Sequence, residues 1–303
     1  ANPVITLNML EKQKSSGCSP LLLYNTSSMR IIELEELKAI QCEILYKIHT
    51  FCIDNNINYS LAYGTLIGAV RHKGYIPWDD DIDIMMLRPD YDKFISTFPG
   101  VYPELTVCAP EIDLNYYAPY ANVWDNRTKL EERTDLENNT SIHRGLDIGV
   151  KIDIFPMDAV PHKNKRLFVS KYKFLSRLKN SFNAVSYSTV VDNRLAHKIL
   201  SAIYSFVAHI IGYKRIQKSL MNFAKENKIQ DAEKIDLVVI NYKERDYIKS
   251  YFETYIDMQF EQYTFKSISG YDYYLSKFYG DYMKLPPKEE QTPHHHFKAY
   301  WID

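Results

Sequence analysis

The chain has 303 residues, with 37 Lys and Arg against 38 Asp and Glu and a formal net charge of −1. Apolar residues make up 46% of it and charged residues 25%, which excludes whole-chain disorder, collagen and coiled coil. The near-neutral balance excludes a protein that wraps nucleic acid by bulk charge, and no nucleic-acid partner is expected. The cysteines at 18, 42, 52 and 108 form no CxxC pair, so reduced thiols in a cytoplasmic protein are expected, without a zinc ribbon or a disulfide scaffold. No secretory pattern opens the sequence.

Residues 1–30 mix Asn, Ser, Pro and Gly without a sustained period and read as an arm. From Ile31 to Asn55 the residues Ile31, Leu34, Leu37, Ile40, Ile44, Leu45 and Ile48 recur at helical spacing, so an amphipathic helix is expected, ended by Asn55-Asn56. Residues 58–63 read as a short strand leading to a Gly64-Thr65 turn. A helix follows over Leu66–Val70 and stops at His72-Lys73-Gly74. Alternation predicts a strand over Asp79–Met86, then a short helix from Asp90. Strands are expected over 104–109, 117–124 and 150–156, with 126–145 as a loop. From His162 the character changes to basic and apolar stretches at helical spacing, continuing to about 230. These patterns predict three segments: an arm (1–30), a core (31–161), and a helical subdomain with a C-terminal segment (162–303). The segment 199–213 is the most apolar run, too short for a membrane span of about 20 residues. A buried helix is expected there, with a membrane-surface or dimer-interface helix as the alternative.

The run Asp79-Asp80-Asp81-Ile82-Asp83 carries the strongest chemical signal. On a strand, Asp79, Asp81 and Asp83 share one face and Asp80 takes the other. Clustered carboxylates repel unless a divalent cation neutralises them, and hard oxygen ligands suit Mg²⁺ or Mn²⁺. A Ca²⁺ loop of the EF-hand type is excluded, because the positions needing Gly and Glu hold Ile84 and Asp90. Gly64-Thr65 upstream opens a helix, and a helix N-terminus favours phosphate. This layout suits a metal bridging a nucleoside diphosphate. Asp153, between Ile152 and Ile154, is the candidate third carboxylate.

The block Tyr63–Ile84 resembles the signature of the LicD family of phosphotransferases. Gly149–Pro161, Tyr279–Pro287 and Pro293-His294-His295 are similar to further segments of that family. The resemblance spans roughly residues 30–301. It implies an α+β fold, with a nucleotidyltransferase-like mixed sheet flanked by helices and a mainly helical second subdomain. It implies transfer of a substituted phosphate, foremost phosphocholine, from a CDP-linked donor such as CDP-choline. The acceptor is a hydroxyl of a glycan or glycolipid: lipopolysaccharide, teichoic acid or capsule. It carries over Asp81, Asp83 and Asp153 as catalytic residues and, with Asp79, as Mg²⁺ or Mn²⁺ ligands. It assigns Gly64, Thr65, Arg71, Lys73, Arg127, His294 and His295 to the donor and its phosphates. Tyr279, Tyr282 and Trp301 are candidates for a choline-binding aromatic wall. A cytoplasmic location is expected, at or near the inner face of a membrane. A nucleotidyltransferase that releases pyrophosphate and a non-catalytic binding protein on the same scaffold are the competing readings.

Overall fold

The computed structural model describes residues 29–116, 118–132, 148–183, 195–292 and 297–302. After a short strand β1 (Arg30–Ile32), helix α1 (Leu34–Asp54) buries Leu37, Ile40, Ile44, Leu45 and Ile48 on the stripe their spacing predicts. The Asn55 side chain donates to the Phe51 carbonyl at 2.9 Å and Asn56 turns at φ 52°, so the expected Asn pair does end the helix.

Strand β2 (Ser60–Leu61) leads directly into α2 (Tyr63–His72), so Gly64 and Thr65 lie inside the first helical turn and not in a turn before it. Strand β3 (Asp83–Leu87) is shorter than alternation predicts. Asp79–Ile82 precede it as irregular backbone. A strand starting at Asp79 would have driven Asp80 onto the face of Ile82 and Ile84, both fully buried. With the break, Asp80 is buried beside Asp79 and Asp81 instead of on that apolar face. Helix α3 (Arg88–Thr97) follows, then β4 (Leu105–Cys108), β5 (Ala121–Asp125) and β6 (Thr128–Glu132), the last inside the stretch expected to be a loop. Strand β7 (Lys151–Val160) runs four residues further than expected.

The main sheet has the order β2-β3-β7-β5-β4, with β3 and β7 parallel and the other pairs antiparallel. Helices α4 (Lys165–Asn183), α5 (Leu195–Ile211) and α6 (Tyr213–Ala224) form the expected helical stretch. The chain then returns to the sheet: β8 (Lys234–Asp236) pairs with the far half of β7. A one-turn helix α7 (Val238–Asn241) and β9 (Tyr247–Ile248) follow. The hairpin β10 (Tyr255–Phe260) and β11 (Tyr263–Ile268) buries Phe260 and Phe265 in the main core. Helix α8 (Tyr271–Tyr279) adds Tyr274 and Leu275 to it. Strand β12 (Phe297–Trp301) lies between β1 and β6 in a second, three-stranded sheet. The architecture is α+β, as the motif blocks imply.

Among the described residues no helix is long and apolar enough to cross a membrane. The expectation of a buried helix at 199–213 is overturned. Ile199, Ile203, Phe206 and Ile210 are exposed, and among the described residues of α5 only Ala208 is buried. Those four residues lie at i, i+4, i+7 and i+11 on the side facing away from α4 and α6, so the apolar stripe points outward. Cys42 and Cys52 are buried free thiols as expected, whereas Cys108 is disulfide-bonded and departs from that expectation.

Candidate functional site

Three neighbouring strands carry one polar row. Asp83 of β3 lies in register with Asp153 of β7, and Asp153 lies in register with Asn122 of β5. Residues paired across strands point to the same face, so all three share it. Their sequence neighbours Ile82, Ile84, Ile152 and Ile154 are fully buried on the opposite face. The alternation Ile-Asp-Ile, read twice in the sequence, is the local code for this arrangement.

Asp79, Asp80 and Asp81 complete the cluster, each offering a carboxylate oxygen within 4.8 Å of the others. Asp80 thus belongs with its neighbours, contrary to the opposite-face placement that a strand would give it. The loop is held from three sides. Gly68 lacks a Cβ where one would meet the Gly74 carbonyl oxygen at 2.4 Å, so the chain after Gly74 crosses close over α2. Gly64 lacks a Cβ where one would meet Asp79 Oδ2 at 2.6 Å. Its role is to leave room for the Asp79 carboxylate, whatever else approaches there. The buried Gln41 of α1 donates to the Asp80 carbonyl at 3.0 Å and to the Lys151 carbonyl at 3.3 Å, tying the acid loop to β7.

The electrostatics follow from the crowding. Burial first, then the charge of Asp81 and a hydrogen bond shared with it, push Asp79 up to about 7. Asp83 is likewise pushed well above the carboxylate range by burial and by Asp81, Asp153 and Asp79. Lys151, two residues before Asp153 and on the same face, donates to Asp153 Oδ1 at 2.5 Å. Burial opposes its charge, and the carboxylates of Asp153, Asp83 and Asp81 outweigh burial, so its pKa rises. Asn122 Nδ2 also donates to Asp153 Oδ1, while Asn122 Oδ1 is buried without a partner among the described residues. The site therefore combines clustered hard oxygen donors, an uncommitted amide oxygen and raised carboxylate pKa values. That donor chemistry fits a divalent cation such as Mg²⁺ or Mn²⁺.

This has a measurable consequence. A carboxylate whose folded pKa is raised favours the folded state below its unfolded pKa, and that contribution is lost as pH rises through the folded value. In chelator, stability should fall between the ordinary Asp value of 3.8 and about 7. Added Mg²⁺ or Mn²⁺ should reverse the fall at neutral pH. Melting curves across this range, with chelator and with either ion, check it. A flat profile unaffected by the ions would contradict this electrostatic picture.

The remaining sequence candidates divide. The Thr65 hydroxyl is buried and accepts the Asp83 backbone N–H at 2.8 Å, so it positions the acid strand. Arg71 donates to the carbonyls of Tyr282 at 3.0 Å and Lys284 at 3.5 Å, joining the end of α2 to the C-terminal segment. Lys73 is an exposed left-handed cap at φ 60°. Arg127 is held by Asp125 and lies 5.5 Å over the Trp301 ring. It sits on the turn after β5, whose last residue, Asp125, is already three residues beyond the level of Asp153, roughly 10 Å along the strand. His294 and His295 lie outside the described residues.

The expected aromatic wall is also rearranged. Trp301 belongs to the second sheet, bonded to Glu36 and facing Arg30 as well as Arg127. Tyr282 is buried with its hydroxyl on Asp272. Tyr279 alone of the three feels the acids. It exposes 43% of its surface, yet its phenol is desolvated enough that burial, with the charges of Asp83, Asp79 and Asp81, pushes its pKa up. Its neighbours are Phe278, with centroids 4.5 Å apart, and through Phe278 the ring of Tyr63. Tyr63 opens α2 at φ 44°, a backbone conformation that costs about 1–3 kcal/mol and concentrates at functional sites. Arg245 covers the Phe278 ring at 4.1 Å, on a loop where Glu244 and Asp246 are also left-handed.

The sequence reading missed Lys151, Asn122, Gln41, Tyr63 and Arg245. Two had a signal. Lys151 shares the outward face of Lys-Ile-Asp-Ile with Asp153. Gln41 interrupts the apolar stripe of α1.

Comparison with known proteins bears on this geometry. Residues 56–182 match the family described as LicD/FKTN/FKRP, nucleotidyltransferase domain. The chain is 34% identical over 279 residues to the lipopolysaccharide cholinephosphotransferase LicD of Haemophilus influenzae, covering 90% of this chain and 99% of that one. An uncharacterised protein of Rickettsia typhi is 43% identical over 67 residues, and one of Rickettsia prowazekii is 42% identical over 67 residues, each match covering 22% of this chain and 22% and 23% of the respective relative.

Proposed function

This chain belongs to the LicD family of phosphotransferases, and on that premise we propose that it moves phosphocholine from CDP-choline to a hydroxyl of a cell-surface glycan, lipopolysaccharide above the others, and releases CMP. The observation that carries this reading is the row Asp83, Asp153 and Asn122 joined to the Asp79–Asp81 cluster. It stands in a chain that aligns along nearly its whole length with a cholinephosphotransferase.

In this reading Asp79, Asp81, Asp83 and Asp153 would hold Mg²⁺ or Mn²⁺, whose charge would offset that of the diphosphate and of the departing CMP. The residues do the rest. Asp153 accepts the proton of the acceptor hydroxyl. The acceptor oxygen bonds to the phosphorus that carries choline, and the bond from that phosphorus to the CMP oxygen breaks. Lys151 holds Asp153 oriented through its 2.5 Å contact. Thr65 and Gln41 fix the backbone of Asp83 and Asp80, so the acids are set before substrate arrives. The face of Tyr279 offers a quaternary ammonium a cation–π contact beside the acids. Arg245 is the nearby cation for a donor phosphate.

Thermal-shift titration tests the donor. With Mg²⁺ present, CDP-choline should raise the melting temperature more than UDP- or GDP-linked compounds of matched size. Equal shifts from all three would sink the cytidine assignment.

A further inference from the structure

Helices α4, α5 and α6 differ from the rest of the chain in charge. Helix α4 carries six Lys and Arg, α5 one and α6 three, and none of them carries an Asp or Glu. The whole chain, by contrast, has a net charge of −1. The outward stripe of α5 exposes Ile199 53%, Ile203 54%, Phe206 68% and Ile210 67%. Leu167 and Phe174 of α4, also exposed, extend it. The Phe174 ring lies 6.1 Å from that of Tyr204 on α5, so the two helices present one apolar surface. Arg166, Lys173 and Arg177 are exposed at i, i+7 and i+11 on α4, a basic stripe beside Leu167 and Phe174.

We propose that the α4–α5 hairpin lays this surface on an anionic lipid bilayer. An outward apolar stripe bordered by Lys and Arg is the pattern of a helix lying in a membrane interface. The charge complementarity selects the occupant. Anionic headgroups attract each nearby Lys or Arg. A second copy of this chain would bring two basic, acid-free faces together. The α5 helix, with 17 residues, lies in the plane and does not span. A chain docked this way is held at the surface where lipid-anchored glycans are presented.

The test uses the full chain and vesicles free of glycan and donor, so its outcome is independent of the transfer reaction. The chain is sedimented with mixed phosphatidylcholine–phosphatidylglycerol vesicles and with pure phosphatidylcholine vesicles. Binding to the mixed vesicles, weakened by salt, is expected, with little binding to the neutral ones. The double variant Ile203→Ser with Phe206→Ser should lose roughly tenfold or more in vesicle affinity, since two large apolar side chains no longer leave water. Its melting temperature should not fall, because both residues are exposed in the free protein. The double variant Lys173→Glu with Arg177→Glu should lose binding to anionic vesicles alone. Equal binding by wild type and the Ile203/Phe206 variant would overturn the proposal. So would a wild-type dimer in light scattering that the variant dissolves, which would give the face to a second copy.

Discussion

Asp83→Asn should reduce transfer on the order of a hundredfold to a thousandfold, with Asp81→Asn and Asp153→Asn close behind. Each replacement keeps the side chain's size and removes a charge that a hard cation needs. Folding should survive. Asp83 is crowded by Asp81, Asp153 and Asp79, so loss of its charge relieves repulsion in the metal-free protein, and the melting temperature in chelator should hold or rise. In Mg²⁺ the variants should gain less stability than the wild type. Asp80→Asn should also impair transfer, because its carboxylate converges with those of Asp79 and Asp81. Asp54→Asn, on the exposed end of α1, serves as the silent control. CMP release and paired melting curves separate these outcomes. Near-normal CMP release from both Asp81→Asn and Asp83→Asn would refute the metal-centred site.

The largest loss of stability is expected at Arg88, at the junction of β3 and α3. Its guanidinium is buried and meets Asp158 at 2.6 Å and Glu111 at 3.0 Å. Burial penalises the Arg88 charge, and the two carboxylates more than offset it, so its pKa is raised. Arg88→Met leaves Asp158, with no exposed surface, charged and unpaired in the core. The cost should be about 3–5 kcal/mol in urea unfolding. Replacing both partners, Arg88→Met with Asp158→Leu, should recover most of it. Among the described residues Arg88 Nη2 and Asp158 Oδ2 already lack hydrogen-bond partners, so the pair is incompletely satisfied. A single-variant loss below about 1 kcal/mol would show that the pair is not buried as described.

Several parts of the site were legible in the chain because period-2 alternation survives in the core. Ile152-Asp153-Ile154 and Ile82-Asp83-Ile84 state which face each acid takes, and the fold sets the two acids side by side. The run Asp79–Asp81 was not legible as geometry. Alternation extends the strand through it, but close approaches at Gly64 and Gly68 and the bonds of Gln41 bend the backbone instead. Those are contacts between distant segments, which no local pattern carries. The α5 stripe was misread for a related reason. Periodicity identifies an apolar face and is silent on what covers it. The basic character of the stretch around it, acid-free in α4 and α6, already pointed away from burial. Arg127 and Trp301 were drawn toward the acids by motif order, whereas β12 holds Trp301 in the second sheet and Arg127 lies on the turn that enters β6 of that sheet.

One measurement tests the central claim most directly. The chain is incubated with CDP-choline, a lipopolysaccharide lacking choline and Mg²⁺, and the mixture is followed by phosphorus NMR. The account predicts CMP and a new phosphodiester on the glycan growing at equal rates, both abolished by chelator and by Asp83→Asn. Pyrophosphate as the released product, or a phosphodiester formed equally well in chelator, would contradict it.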